Sequence, residues 1–201
     1  MRPVVIADYG GGNVRSLRAA LESVGALVTV AADPTVVAAA SHVLLAGQGA
    51  AGTTMRALRS NGLDVAITSA VAGGGRLLGV CVGMQVLFEH SEEDDAECLG
   101  LLTGSVRRLD ARRLPHMGWN DVSRTGSSHA LAGDLPAVAY FAHSFAVPEA
   151  DDAMARTDLE GEVFVSAAGG PGIVGVQFHP ERSGPPGRAL LAGFVAWADA
   201  A

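Results

Sequence analysis

The chain has 201 residues, 49% of them apolar, which suits one domain with a large core and is too short for two of full size. Fourteen Lys and Arg stand against 21 Asp and Glu, a formal charge of -7, and neither nucleic acid nor an anionic membrane rewards a net negative partner. No run reaches the roughly 18 apolar residues of a membrane span and no signal-peptide pattern opens the chain, so a soluble, cytoplasmic protein is expected.

Pro3 to Ala7 reads as a short buried strand ending in Asp8-Tyr9 and three glycines. Asn13 is placed to cap a helix whose apolar positions Val14, Leu17, Leu21 and Val24 recur at helical spacing before Gly25. Ala26 to Val30 is a second strand, Asp33-Pro34 opens a short helix, and Val43 to Leu45 is a third strand. A Gly47-Gln48-Gly49 turn, a glycine-broken helical region from about Thr53 to Ala72 and a strand from Arg76 to Val80 follow. Gly83 to Phe88 is predicted to start a helix, and the acidic segment from Glu89 to Glu97 to be a solvated loop. The basic stretch from Arg107 to Arg113 reads as solvated strand and turn. Beyond Leu99 the strands shorten, as in a partly antiparallel section, and the chain closes with strand Ile173 to Gln177, a loop carrying His179 and a helix from about Gly187 to Trp197. The alternation predicts an α/β fold over residues 1–201 as a single domain, with a mostly parallel central sheet, helices on both faces and a partly antiparallel section.

Gly79-Val80-Cys81-Val82-Gly83 leaves a buried strand and enters a helix. With Ser for Cys it would be the G-x-S-x-G nucleophile elbow, in which glycines let two backbones approach and the nucleophile projects from the sheet. The helix N-terminus favours a negative sulfur, and the Val82 N–H is positioned to donate to an oxyanion. Cys98 has no such frame and reads as a small apolar residue; two cysteines make no disulfide framework.

A thiolate nucleophile needs a histidine held by a third group. Phe178-His179-Pro180-Glu181 supplies both after a predicted strand, at the sheet edge where the elbow also exits. His42, His90 and His129 are expected to be solvated. No cluster has zinc spacing, so neither a metal nor a cofactor is expected. Gly10-Gly11-Gly12-Asn13 matches half of a dinucleotide fingerprint, but Arg15 stands at the third glycine position, and a tight turn is the better reading.

Gly79 to Gln85 together with Phe178 to Glu181 resembles the class I, triad-type glutamine amidotransferases, and the resemblance spans essentially the whole chain. Asp8 to Ser16, Pro115-His-Met-Gly-Trp-Asn120 and Tyr140-Phe-Ala-His-Ser144 are similar to the branch of glutaminase subunits serving imidazole glycerol phosphate synthases. The resemblance implies Cys81 as nucleophile, His179 as acid and base, and Glu181 as its orienter. It implies Val82, Gln48, Gly49, Gln85, Tyr140, Ser144 and Phe145 around the oxyanion and the substrate L-glutamine. It also implies a heterodimer with a (β/α)8-barrel cyclase in histidine biosynthesis, with Asn13, Pro115, His116, Met117, Trp119, Asn120 and Arg182 at the interface. Trp119 as a core filler is the competing reading of that segment. Anthranilate or guanylate synthase partners, a stand-alone Cys-His-Glu peptidase or γ-glutamyl hydrolase, and a non-catalytic binding subunit are the rival functions.

Two departures stand out. Where the family usually has Pro-Gly-Val-Gly, this chain has Ala46-Gly47-Gln48-Gly49, and losing the proline frees a φ in the loop expected to supply the second oxyanion donor. Arg182 replaces the usual Lys after Glu181; the charge is kept and the geometry changed.

Overall fold

The computed structural model describes residues 3–198. Its first half alternates as the apolar pattern predicts: β1 (Pro3–Ala7), α1 (Val14–Ser23), β2 (Leu27–Ala31), α2 (Pro34–Ala38), β3 (His42–Gly47), α3 (Ala51–Ser60), α4 (Leu63–Ala72) and β4 (Arg76–Cys81). The helical region breaks where Gly62 takes φ +68, a conformation glycine adopts without steric penalty. Then come α5 (Val82–Gln85), β5 (His90–Ser91), a 3-10 turn at Glu93–Asp95, β6 (Ala96–Glu97), β7 (Ser105–Arg108), β8 (His116–Asp121), β9 (Ser123–Arg124), β10 (Val138–His143), β11 (Phe145–Ala146), β12 (Ala153–Leu159), β13 (Glu162–Gly170), β14 (Ile173–Val176) and α6 (Gly184–Ala196).

The main sheet has the order β2-β1-β3-β4-β14-β13-β12-β9. Its first five strands are parallel and the remainder antiparallel. β3 and β4 are buried at every position, the pattern of strands covered on both faces. The chain steps from β1 outward to β2 and then back past β1 to β3, so right-handed crossovers put α1 and α2 on opposite faces. That reversal opens a crevice beyond the C-terminal strand ends. β8 pairs with β10, and β11-β7-β5-β6 form a smaller sheet. Among the described residues no helix is long and apolar enough to cross a membrane.

Three local expectations are corrected. The helix after the elbow ends at Gln85, because the carbonyls of Val86, Leu87 and Phe88 accept from the N–H groups of Leu99 to Leu102 instead of continuing a helical ladder. The acidic segment is solvated at Glu89, Glu92, Asp94, Asp95 and Glu97, as expected, but it is not a free loop. Backbone N–H groups of Ala51, Gly104 and Arg108 donate to Glu93, Glu89 and Glu92, which ties it to α3 and β7. His42 is only 2% exposed, with Nε2 3.1 Å from the Trp197 carbonyl and its ring edge-on to Phe194. His129 is half-buried, donating from Nε2 to the Ile173 carbonyl while Nδ1 accepts from Leu131 N–H. His90 is partly exposed and pairs with Asp95 at 2.9 Å.

Candidate active site

β4 ends at Cys81, beside Gly47 of β3 in register, with Val80 paired to Val176 of β14. The turn into α5 forces Cys81 to φ 56, ψ -115, a strained conformation for a residue with a Cβ and one that concentrates at functional sites. Glycines make it possible: a Cβ on Gly83 would lie 2.0 Å from the Leu45 carbonyl oxygen, and one on Gly47 would lie 2.2 Å from the Gly83 nitrogen. Gly79 is equally constrained, its missing Cβ falling 2.5 Å from the Gly83 carbonyl oxygen. The elbow is thus held on three sides by backbone contact.

His179 arrives from the end of β14 and lines the same cleft as Cys81, whose sulfur acts on its ring. Its Nδ1 lies 2.9 Å from Oε1 of Glu181. Burial by itself pulls the imidazole down, but the hydrogen bonds and negative charges of Cys81 and Glu181 outweigh it and push His179 up to about 10. At neutral pH the ring therefore carries its proton, available to a departing nitrogen.

The sequence points to Asn13 as a helix cap and, through the family resemblance, as an interface residue. It sits at the N-cap position of α1 without capping it, and its Nδ2 instead donates to Glu181 Oε1 at 2.9 Å. Gln177 has a role that its place in the sequence does not announce: its Nε2 reaches Cys81 Sγ at 3.8 Å, and its Oε1 accepts from Gln85 at 3.1 Å. The signal available was position, since both residues follow strands that end at the same sheet edge.

A cleft of about 230 Å³ opens over the sulfur, bordered by Gln48, Gly49, Val82, the Ala142 to Phe145 wall and Arg182. Glu93 lines it too. Burial raises the Glu93 carboxyl above the usual carboxylate range, the Ala51 N–H opposes this, and Asp94 adds to the rise. An acidic group and a nucleophile lining one cleft suit a small cationic or zwitterionic molecule carrying an acyl group.

Tyr140 is not placed as expected, whereas Gln85 does line the cleft. The Gln85 side chain is buried, giving its amide hydrogens to the Phe145 carbonyl at 2.7 Å and to Gln177, which makes it chiefly a brace for the wall; only Oε1 lacks a protein partner. Tyr140 lies outside the cleft, with Arg182 3.9 Å over its ring and Trp119 edge-on at 6.2 Å. Strand alternation explains this, because Tyr140 projects to the outer face of β10 while Ala139 and Phe141 turn inward. The same alternation on β8 exposes Met117 (63%) and Trp119 (59%) and buries His116 between Phe141, His143 and Phe164. Trp119 is therefore no core filler, and His116 has no surface to offer a partner. Pro115 is exposed, and Asn120 is half-exposed with its amide on the Asp158 carbonyl.

The model of the glutamine amidotransferase class-I family matches residues 5–197. The imidazole glycerol phosphate synthase subunit HisH of Nitratidesulfovibrio vulgaris (strain Miyazaki F) is 40% identical, covering 96% of each chain. That of Aromatoleum aromaticum is 42% identical over 98% of this chain and 100% of its own. The structure of PurLQS from Thermotoga maritima superposes with a TM-score of 0.75 at 19% identity, covering 98% of this chain and 99% of that one, a likeness of fold. The chain belongs to the class-I glutamine amidotransferase family and groups within it with the HisH subunits.

Proposed function

We propose that the chain is the glutaminase subunit of an imidazole glycerol phosphate synthase, acting through Cys81, His179 and Glu181 in one domain spanning residues 1–201. The observation that carries the reading is the strained backbone of Cys81 in a cleft that His179 also lines, the histidine itself tied to a buried carboxylate. The names and identities of the HisH relatives support the choice of synthase.

Glutamine would enter with its side-chain amide over Cys81 and its α-ammonium toward Glu93. The thiolate attacks the amide carbon, giving a tetrahedral oxyanion that the Val82 N–H and a donor from Gln48 or Gly49 stabilise. His179 protonates the departing nitrogen, the C–N bond breaks and ammonia leaves. His179 then draws a proton from water, which cleaves the glutamyl thioester and restores the thiol. Glu181 and Asn13 hold the imidazole in one orientation throughout.

The proposed partner is a (β/α)8-barrel cyclase that receives the ammonia. The exposed Met117 and Trp119, with Tyr140 and Arg182 at the cleft mouth, present an aromatic and cationic patch suited to docking. The Gln48-Gly49 loop lacks a proline to fix it, and its oxyanion donor is set by that partner. Ammonia release from glutamine, measured for wild type and Cys81→Ala with and without the cyclase and its nucleotide ligand, tests both ideas. Activity surviving in Cys81→Ala removes the mechanism; equal wild-type rates with and without the cyclase remove the partner's role in the loop.

A further inference from the structure

Outside the triad, one polar group is buried and wired end to end. His116 on β8 and His143 on β10 are opposed in register, each 6% exposed, and packed against Phe141 and Phe164. Their hydrogen bonds run in a single chain whose polarity is fixed from both ends.

At the cleft end, His143 Nδ1 is 2.9 Å from the Phe145 carbonyl. A carbonyl only accepts, so Nδ1 carries the hydrogen. Burial, with lesser help from His116 and His179 and against the Phe145 bond, pushes His143 down to about 3; the ring is neutral and its Nε2 must accept. Opposite that nitrogen, at 3.2 Å, is Nδ1 of His116, which must therefore donate. His116, also held low by burial, then offers Nε2 as an acceptor, 3.4 Å from Nδ2 of Asn120. Asn120 cannot turn over, because its Oδ1 accepts from Asp121 N–H at 2.8 Å and its Nδ2 also donates to the Asp158 carbonyl at 2.9 Å. Reversing either ring would set acceptor against acceptor.

The Phe145 carbonyl receives a second bond, from Gln85 Nε2, whose partner Gln177 reaches the Cys81 sulfur. Two donors aim this carbonyl, and the chain connects Asn120 on β8 to the surroundings of the nucleophile.

We propose that His143 is a positioning residue for the glutamine-binding wall, aiming the Phe145 carbonyl through Nδ1–H, and that His116 and Asn120 lock it in that tautomer. The assignment rests on the reading of the cleft as a glutamine site; the lock does not. A purely structural role predicts little, because Gln85 alone would satisfy the Phe145 carbonyl.

Two-bond proton–nitrogen correlation spectra of the histidine-labelled full chain, from about pH 5 to about pH 8, test the lock. Both rings should be neutral Nδ1–H tautomers, the less favoured form in water, and Asn120→Ala should move His116 toward Nε2–H. An Nε2–H signal for either ring in the wild type, or an imidazolium signal for His143 in that range, overturns it. Glutamine kinetics test the positioning role. His143→Phe, which keeps an aromatic ring and loses the donor, should raise KM about tenfold, the equivalent of one lost hydrogen bond, with kcat changed less. His143→Asn, which retains a donor near the Nδ1 position, should stay within about threefold of wild type. An unchanged KM in His143→Phe overturns the role, and so does a tenfold rise in His143→Asn, which also decides the matter if the Phe variant does not fold. A wild type releasing no ammonia even with the cyclase and its nucleotide ligand present would instead sink the glutamine reading and leave the tautomer spectra standing.

Discussion

Asn13 and His179, 166 positions apart in the chain, meet on a single oxygen: each is 2.9 Å from Oε1 of Glu181. The loop after the first strand and the loop after the last thus hold one carboxylate between them, and the imidazole is oriented by an element that carries no catalytic group of its own. Asn13→Ala removes one of the two donors to a buried carboxylate. The expected result is a loss of roughly tenfold in glutamine turnover, read from steady-state ammonia release. Turnover equal to wild type would show that His179 alone fixes Glu181.

The stability of the protein should carry the signature of His179. Its folded pKa, about 10, lies above the ordinary histidine value of 6.5, so the folded state binds this proton more tightly. The associated stabilisation is complete below the unfolded value and is lost as pH rises through about 10. Urea midpoints should therefore fall from about pH 7 to about pH 10, and the fall should be shallower in Cys81→Ala, which removes one cause of the raised value. Parallel curves for the two proteins would count against the Cys81–His179 contact.

The two thiols should differ in reactivity. Burial pushes Cys98 up to about 11, against a lesser opposing pull from Arg59, so almost none of it is thiolate near neutrality. Iodoacetamide at about pH 7.5 should label Cys81 first, as mapped by peptide mass spectrometry. Equal labelling of Cys98 would contradict the environment described for it.

Gly83→Ala places a methyl group 2.0 Å from the Leu45 carbonyl oxygen, a backbone atom in a buried strand with no room to retreat. A loss of about 2–4 kcal/mol in unfolding free energy is expected from overpacking of this severity. Gly133→Ala meets nothing within 4 Å at an ordinary φ and should stay within about 1 kcal/mol of wild type. Chemical denaturation of the two variants side by side is the check.

Trp119→Ala should separate docking from folding. The side chain is exposed and touches Tyr140 only edge-on, so the thermal midpoint should barely move, while the Kd for the cyclase subunit should weaken by about thirtyfold, the equivalent of roughly 2 kcal/mol at an aromatic anchor. Calorimetric titration decides; an unaltered Kd would put the interface elsewhere.

The sequence alone determined the parallel half of the fold, because apolar runs, helical spacing and glycine stops are local signals read within ten or twenty residues. The same holds for Cys81 between its glycines and for His179 joined to Glu181 by a single proline. It did not determine which acidic or polar residues enter the cleft. Glu93 lies in a segment whose charge reads as solvated, and its placement depends on N–H donors in α3 that adjacency does not reveal. Asn13 looks like a helix cap until β1 and β14 are seen to end at one sheet edge, and the sequence does not show that Gln85, at the cleft, spends its amide hydrogens on Phe145 and Gln177. Strand phase decided the rest: a shift of one residue along β8 would exchange the buried His116 for the exposed Met117 and Trp119, a shift along β10 would exchange the buried Phe141 and His143 for Tyr140 and Ala142, and only pairing across the two strands sets that phase.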